Sequence, residues 1–346
     1  MPDAPAHIDP AQAAEIASHK HDRPLVCCAW DPQDHFVAFG SEDNSVRRIA
    51  IDGMTPTSFP PEGSGPGHDS WVRALGFTPD GRLLFSGGYD GRLCQWPLAA
   101  ESTPATRVIQ AHDGWLRALA ISPDGTQLAS CGNDALVKLW TISDGLIAET
   151  PAAIGSGHQS HVYEVAWKPD GSALASCDLK GNIKEWNPAG AFVRDIGKAE
   201  ALWKYDEGFR ADIGGARTIA FRADGGQLAV GGITAVTNAF AGVGHPGVAV
   251  LEWSDGKLAT LIEPKEKQQG VCWGIAWHPQ GFWIQVAGGG GGGWLRFFQA
   301  GEANEFHALK LPANGRSLAL SPDKTRVAVA LADGHLKIFS LVAKPA

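Results

Sequence analysis

In residues 68–140 apolar and polar positions alternate in short runs separated by turn residues, and the pattern is written twice. The first copy is HDSWVRALGFTPDGRLLFSGGYDGRLCQW at 68–96, and the second is HDGWLRALAISPDGTQLASCGNDALVKLW at 112–140. Segments 71–77, 82–86 and 92–96 are each too short for a helix and rich in strand formers, whereas Pro79-Asp80-Gly81 and Asp90-Gly91 are turn chemistry. The spacing predicts an antiparallel meander of three strands. There is room for a fourth before the next copy.

Taking Pro79 as an anchor, equivalent positions fall at Pro32, Pro79, Pro123, Pro169, Ala223, Pro279 and Pro322, with spacings of 47, 44, 46, 54, 56 and 43 residues. Seven repeats fill the chain. A histidine lies 11 residues before the anchor (His21, His68, His112, His158), a serine 7 after it (Ser86, Ser130, Ser176) and an aromatic 17 after it (Trp96, Trp140, Trp186, Phe339).

The His before the first strand, the Ser in the second, the Asp before the third and the Trp that ends it resemble the WD-repeat family of β-propellers. The chain is similar to compact single-domain bacterial members of that family. The resemblance implies an all-β, seven-bladed β-propeller of four-stranded antiparallel blades. It also implies structural hydrogen-bonding roles for His68, Ser86, Asp90 and Trp96 in repeat two, and for His112, Ser130, Asp134 and Trp140 in repeat three. No repeat ends in a literal Trp-Asp pair; repeat one has Phe39 and Ile49 at the Ser and Trp positions, and repeat four has Lys180 at the turn Asp. The complete network is therefore expected in blades two and three alone.

Residues 12–18 precede His21 as 103–110 precede His112, and too few residues follow Phe339 for a further strand. An N-terminal strand completing the last blade is expected, which leaves no free sheet edge at the seam. The 346 residues then form one domain, 1–346, with residues 1–11 flexible. A hydrophobic fraction of 44% against 19% charged residues is enough to bury a core. The opening residues show neither a signal peptide nor a membrane anchor, so a cytoplasmic protein without membrane attachment is expected. The net charge of −8 argues against nucleic acid as a partner. The six cysteines include no Cys-x-x-Cys pair and read as buried, reduced thiols. Equivalent histidines in separate blades are too dispersed to hold one ion, and neither a metal nor a cofactor is expected.

Repeats five and six break the regular spacing, with insertions near 197–215 and 233–246 and a six-glycine run at 288–293. Meander topology places all three on one face, over blades five and six. Irregular segments on a rigid scaffold tend to carry function. The glycine run opens onto a strand rather than a helix, so it reads as close backbone approach, or as a small anion nest, rather than a nucleotide loop.

Six before the anchor stand Val26, Arg73, Arg117, Tyr163, Arg217, Trp273 and Arg316; eight before it stand Pro24, Trp71, Trp115, His161, Gly215, Val271 and Asn314. Both positions lie near the start of the inner strand, on the insertion-bearing face. The family resemblance marks these positions, with the residue before the turn Asp (Tyr89 and Asn133), as the usual partner contacts. Converging arginines repel unless an anion or neighbouring carboxylates balance them, and planar guanidinium groups bind carboxylate or phosphate bidentately. The alternative is that Arg73 and Arg117 simply pair with Asp or Glu on adjacent blades.

The expected function is a non-enzymatic platform for a protein or peptide with acidic or carboxylate groups. Its contact set is Trp71, Arg73, Tyr89, Trp115, Arg117, Asn133, His161, Tyr163, Arg217, Trp273 and Arg316. The alternative is a small-ligand site or hydrolase built from the blade-five and blade-six loops, with Trp203, Tyr205, Asp206, Arg210, Asn238 and His245 as candidates.

Overall fold

The computed structural model describes residues 7–51, 53, 56–59, 67–98, 107–238 and 243–343. They form seven antiparallel sheets whose inner strands pack side by side in a closed ring. In blade order the inner strands are Leu25–Trp30, Val72–Phe77, Leu116–Ile121, Val162–Trp167, Ala211–Phe221, Val271–Trp277 and Gly315–Leu320. This is the seven-bladed β-propeller that the repeat arithmetic predicts.

Two blades depart from the plain four-stranded form. The outer strand of blade three is broken into Leu146–Ile147 and Ala153–Gly155, both paired with Val137–Ser143. Blade five has five strands because the segment before it folds back as Trp203–Asp206 along Ala211–Phe221.

The ring closes through Ala14–Lys20, which pairs with His335–Ser340 and supplies the outer strand of blade seven. Ahead of it, Ile8 bridges Val342 and the Asp9 N–H donates to the Leu341 carbonyl at 2.9 Å. The first six residues, part of the stretch expected to be flexible, lie outside the described residues.

The core lies between blades. Alternation sends one face of each sheet against the next, so Trp96 packs with Val72 and Leu84, and Trp140 with Leu116 and Leu128, all essentially without solvent contact. Blade six has no tryptophan at its third-strand end. There Trp283 and Phe298 stack at 4.2 Å instead. All six cysteines are buried free thiols. Among the described residues no helix is long and apolar enough to cross a membrane.

Candidate functional site

The rim of the propeller is held from below by hydrogen bonds that begin at buried histidines. In blade two His68 Nε2 meets Ser86 Oγ at 2.7 Å, Trp96 Nε1 donates to the same oxygen at 2.8 Å, and His68 Nδ1 lies 3.2 Å from Asp90. Blade three repeats it: His112 to Ser130 at 2.8 Å, Trp140 to Ser130 at 2.9 Å, and His112 to Asp134 at 2.9 Å. Each Asp ties down a turn through backbone N–H groups, and that turn presents the preceding residue, Tyr89 or Asn133, at the rim.

Blade four corrects the sequence reading, since it too has a complete network. His158 bonds Ser176 at 2.7 Å and Asp178 at 3.2 Å, and Trp186 donates to Ser176 at 2.8 Å. The carboxylate comes from two positions earlier than in its neighbours, at the strand end where blades two and three have Gly88 and Gly132. Glycine is required there in blade two: a Cβ on Gly88 would stand 2.5 Å from the His68 ring. Blade four spends the position on the acid itself, which frees Lys180 to pair with Asp212 at 3.1 Å. In blade one, with Phe39 in place of the serine, only His21 to Asp43 remains, at 2.8 Å. Burial by itself would raise these four carboxyls, yet hydrogen bonds from their histidines hold Asp43, Asp90, Asp134 and Asp178 below the usual carboxylate range.

Every inner strand carries a β-bulge at the position six before the anchor. The pairing register skips Val26, Arg73, Arg117, Tyr163, Arg217, Trp273 and Arg316 in turn. A bulged residue has no partner opposite it, and its side chain is re-aimed relative to plain alternation.

From the bulges and turns of blades two to five grows one connected cluster. The Tyr89 ring stacks on Trp115 at 4.2 Å, within 9° of parallel, and on Trp71 at 5.9 Å. Trp71 and Trp115 remain 39% and 43% exposed, so the stack is an open apolar ledge. Behind it the Arg117 guanidinium lies 4.6 Å from the Trp115 ring, 5.3 Å from Tyr89 and 4.3 Å from Tyr163, and its Nε donates to Asn133 at 2.8 Å. Arg217 approaches Tyr163 from the next blade at 4.7 Å and donates to the carbonyls of Ala216 and Gly214. Tyr163 therefore has a guanidinium from each neighbouring blade against its ring. Burial first, then the charges of Arg117 and Arg73, pull Arg217 below the ordinary arginine pKa. Burial and the Arg117 charge likewise lower that of His161.

The predicted set does not stay together in full. Arg316 forms a salt bridge with Glu42 across the seam at 3.3 Å, the pairing with a neighbouring acid that had been weighed for Arg73 and Arg117. Among the described residues neither Arg73 nor Arg117 has a carboxylate within salt-bridge distance. Trp273 donates from Nε1 to the Gly288 carbonyl at 3.3 Å, and the Arg217 guanidinium stands 5.9 Å from its ring.

The insertions of blade five are extensions of its sheet rather than free loops. Gln227–Asn238 and Val243–Glu252 lengthen the second and third strands, and Thr234 pairs with His245. Trp203 donates to Asp212 at 3.0 Å and has Lys198 Nζ 3.8 Å from its ring. Asp206 accepts the Phe209 N–H in a tight turn, Arg210 adopts a left-handed φ of 48°, and Tyr205 is exposed. The His245 ring is bonded to the Gln268 carbonyl. The side chain of Asn238 lies outside the described residues. A cavity of about 340 Å³ between the two insertions is lined by Trp203 and Val236 but by none of the other loop candidates. In the glycine run, the Gly289 N–H goes to Asn314 Oδ1, that of Gly291 to the Gln269 carbonyl and that of Gly292 to the Gly289 carbonyl. These bonds absorb the nest; close approach is the reason for the glycines, since a Cβ on Gly289 would meet Gly270 Cα at 2.5 Å. Among the described residues no group of three His, Cys, Asp or Glu is placed to hold a metal ion.

Comparison with known proteins agrees with this geometry. The family model "WD domain, G-beta repeat" matches residues 14–48, 59–97, 104–141 and 150–187, each span ending in or just past the third strand of one of blades one to four. Over 70 residues the chain is 36% identical to apoptotic protease-activating factor 1 of Mus musculus, a stretch covering 20% of this chain and 5% of that protein.

Proposed function

With a chain that carries WD repeats and folds as a seven-bladed propeller as the premise, we propose that it is a protein-interaction module whose rim, over blades two to five, docks a peptide segment with an acidic side chain beside an apolar one. WD-repeat propellers generally serve as protein-interaction platforms. The observation that carries the finer reading is the half-exposed Trp71, Tyr89 and Trp115 stack running directly into Arg117. Exposed tryptophans held rigid by stacking bury area on contact at little entropic cost, and tryptophan, tyrosine and arginine dominate interface hot spots. Among the described residues Arg73 and Arg117 have no salt-bridge partner, so an incoming carboxylate meets cations not already locked in an ion pair. In a protein of net charge −8 such a basic spot attracts acids locally while the whole surface does not.

The test is selection from a random displayed-peptide library, with the enriched peptides then measured against variants. Enriched sequences should carry Asp or Glu next to an aliphatic or aromatic residue. Trp115→Ala, a change at an exposed ring, should weaken them roughly thirtyfold, about 2 kcal/mol, at unchanged melting temperature. Arg117→Ala should weaken them as much, with some loss of melting temperature because Arg117 is buried against three rings and bonded to Asn133. Enrichment of basic peptides, or equal binding by the variants, would overturn the reading.

A further inference from the structure

Beside the aromatic ledge, sharing Arg117 with it, lies a chamber of about 120 Å³ lined among others by Arg73, Arg117, Glu164, Cys27, Cys28 and Ser317. Glu164 follows the bulged Tyr163 on the inner strand of blade four and brings a carboxyl in among the arginines. The groups that face it come from each neighbouring wall. Blade two contributes Arg73, blade three Arg117, blade one Cys27 and Cys28, and blade seven Ser317. Cys131 and Cys177 stand within electrostatic reach on the second strands of blades three and four. On its own strand lies Tyr163, and His161 immediately precedes that strand, nearer the rim. Burial pushes the Cys27 and Cys28 thiols up to about 12 and holds those of Cys131 and Cys177 well above the ordinary thiol range, so all four are neutral. No salt bridge fixes Glu164 to either arginine. Burial pushes its carboxyl up to about 7, with the charge of Arg73 opposing only in part.

The chamber therefore has two states in the neutral range. With Glu164 protonated, the guanidinium charges of Arg73 and Arg117 are uncancelled. With it ionised, one charge is offset and a second carboxylate entering the space is repelled.

We propose that Glu164 sets the charge of this chamber, so that an acidic ligand docks together with one proton taken from solvent and held on the Glu164 carboxyl. This rests on the acidic-peptide reading and adds its regulation. Binding tightens on acidification and slackens above neutrality, because ligand carboxylate and Glu164 carboxylate compete for the same guanidinium groups.

The experiment is calorimetric titration of the full chain with an acetylated, amidated Leu-Glu-Trp-Glu peptide, which sets acids beside apolar side chains, from pH 6 to 8 and in two buffers of different ionisation enthalpy. Affinity should fall about tenfold between pH 6 and pH 8, the limit for one group titrating near 7, with proton uptake on binding. Glu164→Gln should abolish both effects and bind at pH 8 as the wild type does at pH 6. A pH dependence that survives in Glu164→Gln but vanishes in His161→Gln would move the titration to the rim and overturn the inference. Tight binding without proton uptake would overturn it while leaving the acidic-peptide reading intact. No binding at any pH would bring down both.

Discussion

Deleting residues 1–20 will destabilise the propeller by roughly 5 kcal/mol and lower its melting temperature by roughly 10 °C. The segment supplies six paired residues to His335–Ser340, from Ala14 opposite Ser340 to Lys20 opposite His335. At a net ~1 kcal/mol for each backbone hydrogen bond, that pairing outweighs any single side chain in the ring. The Glu15 to Lys337 contact at 2.6 Å and the packing of Ala13 against Phe339 and Leu341 go with it. What remains is an open strand whose N–H and C=O groups face water, a template for pairing with another chain. Aggregation should accompany the thermal shift and be visible by light scattering. Adding a synthetic peptide of residues 8–21 should restore both, since the missing strand needs no covalent link to pair. An unchanged melting curve would show that closure contributes nothing to stability.

This closure is legible in the sequence because it follows from counting. Seven anchors and a strand-like segment before His21, matching the one before His112, leave an extra outer strand for the last blade. The His, Ser and Trp positions of blades two to four were legible for the same reason, each recurring at a fixed offset from the anchor.

What lay beyond the sequence is what depends on two strands at once. The bulge at Arg73, Arg117 and their equivalents is a property of the register between the first and second strands, invisible in the alternation of either alone. Arg316 finds Glu42, 274 residues away in sequence, only because the ring closes. The loop candidates share a face in the topology, but Trp203, Asp206 and His245 are drawn into local bonds that no spacing reveals. Position counting could nominate Tyr89. Its place between Trp71 and Trp115 depends on the geometry of adjacent blades.

Asp178 is where counting failed, and it carries the second large effect. The repeat offset pointed to position 180 for the turn acid and found a lysine. An acid two residues earlier, at the end of the second strand, reaches the same histidine nitrogen, Nδ1. Asp178 accepts from His158 Nδ1, from the Asn182 N–H at 3.0 Å and from Asn182 Nδ2 at 2.9 Å.

Asp178→Ala will leave those donors without a partner. The His158 side chain has no solvent contact, so its loss is felt in full, whereas a groove of about 390 Å³ beside Asn182 admits water and softens the rest. A cost of about 3 kcal/mol at pH 7 is expected by chemical denaturation. Lys180→Ala, at the position the repeat would have chosen, should cost under about 1 kcal/mol, since its salt bridge with Asp212 is part-exposed. The deficit of Asp178→Ala should also shrink in acid. The folded pKa of Asp178 is depressed, so its contribution is complete above the unfolded value of about 3.9 and is lost as pH falls through the folded value. Wild type and variant should therefore differ most at neutral pH and converge below pH 4. If Lys180→Ala proved the more damaging, or if the gap widened in acid, position 180 and not Asp178 would be supporting blade four.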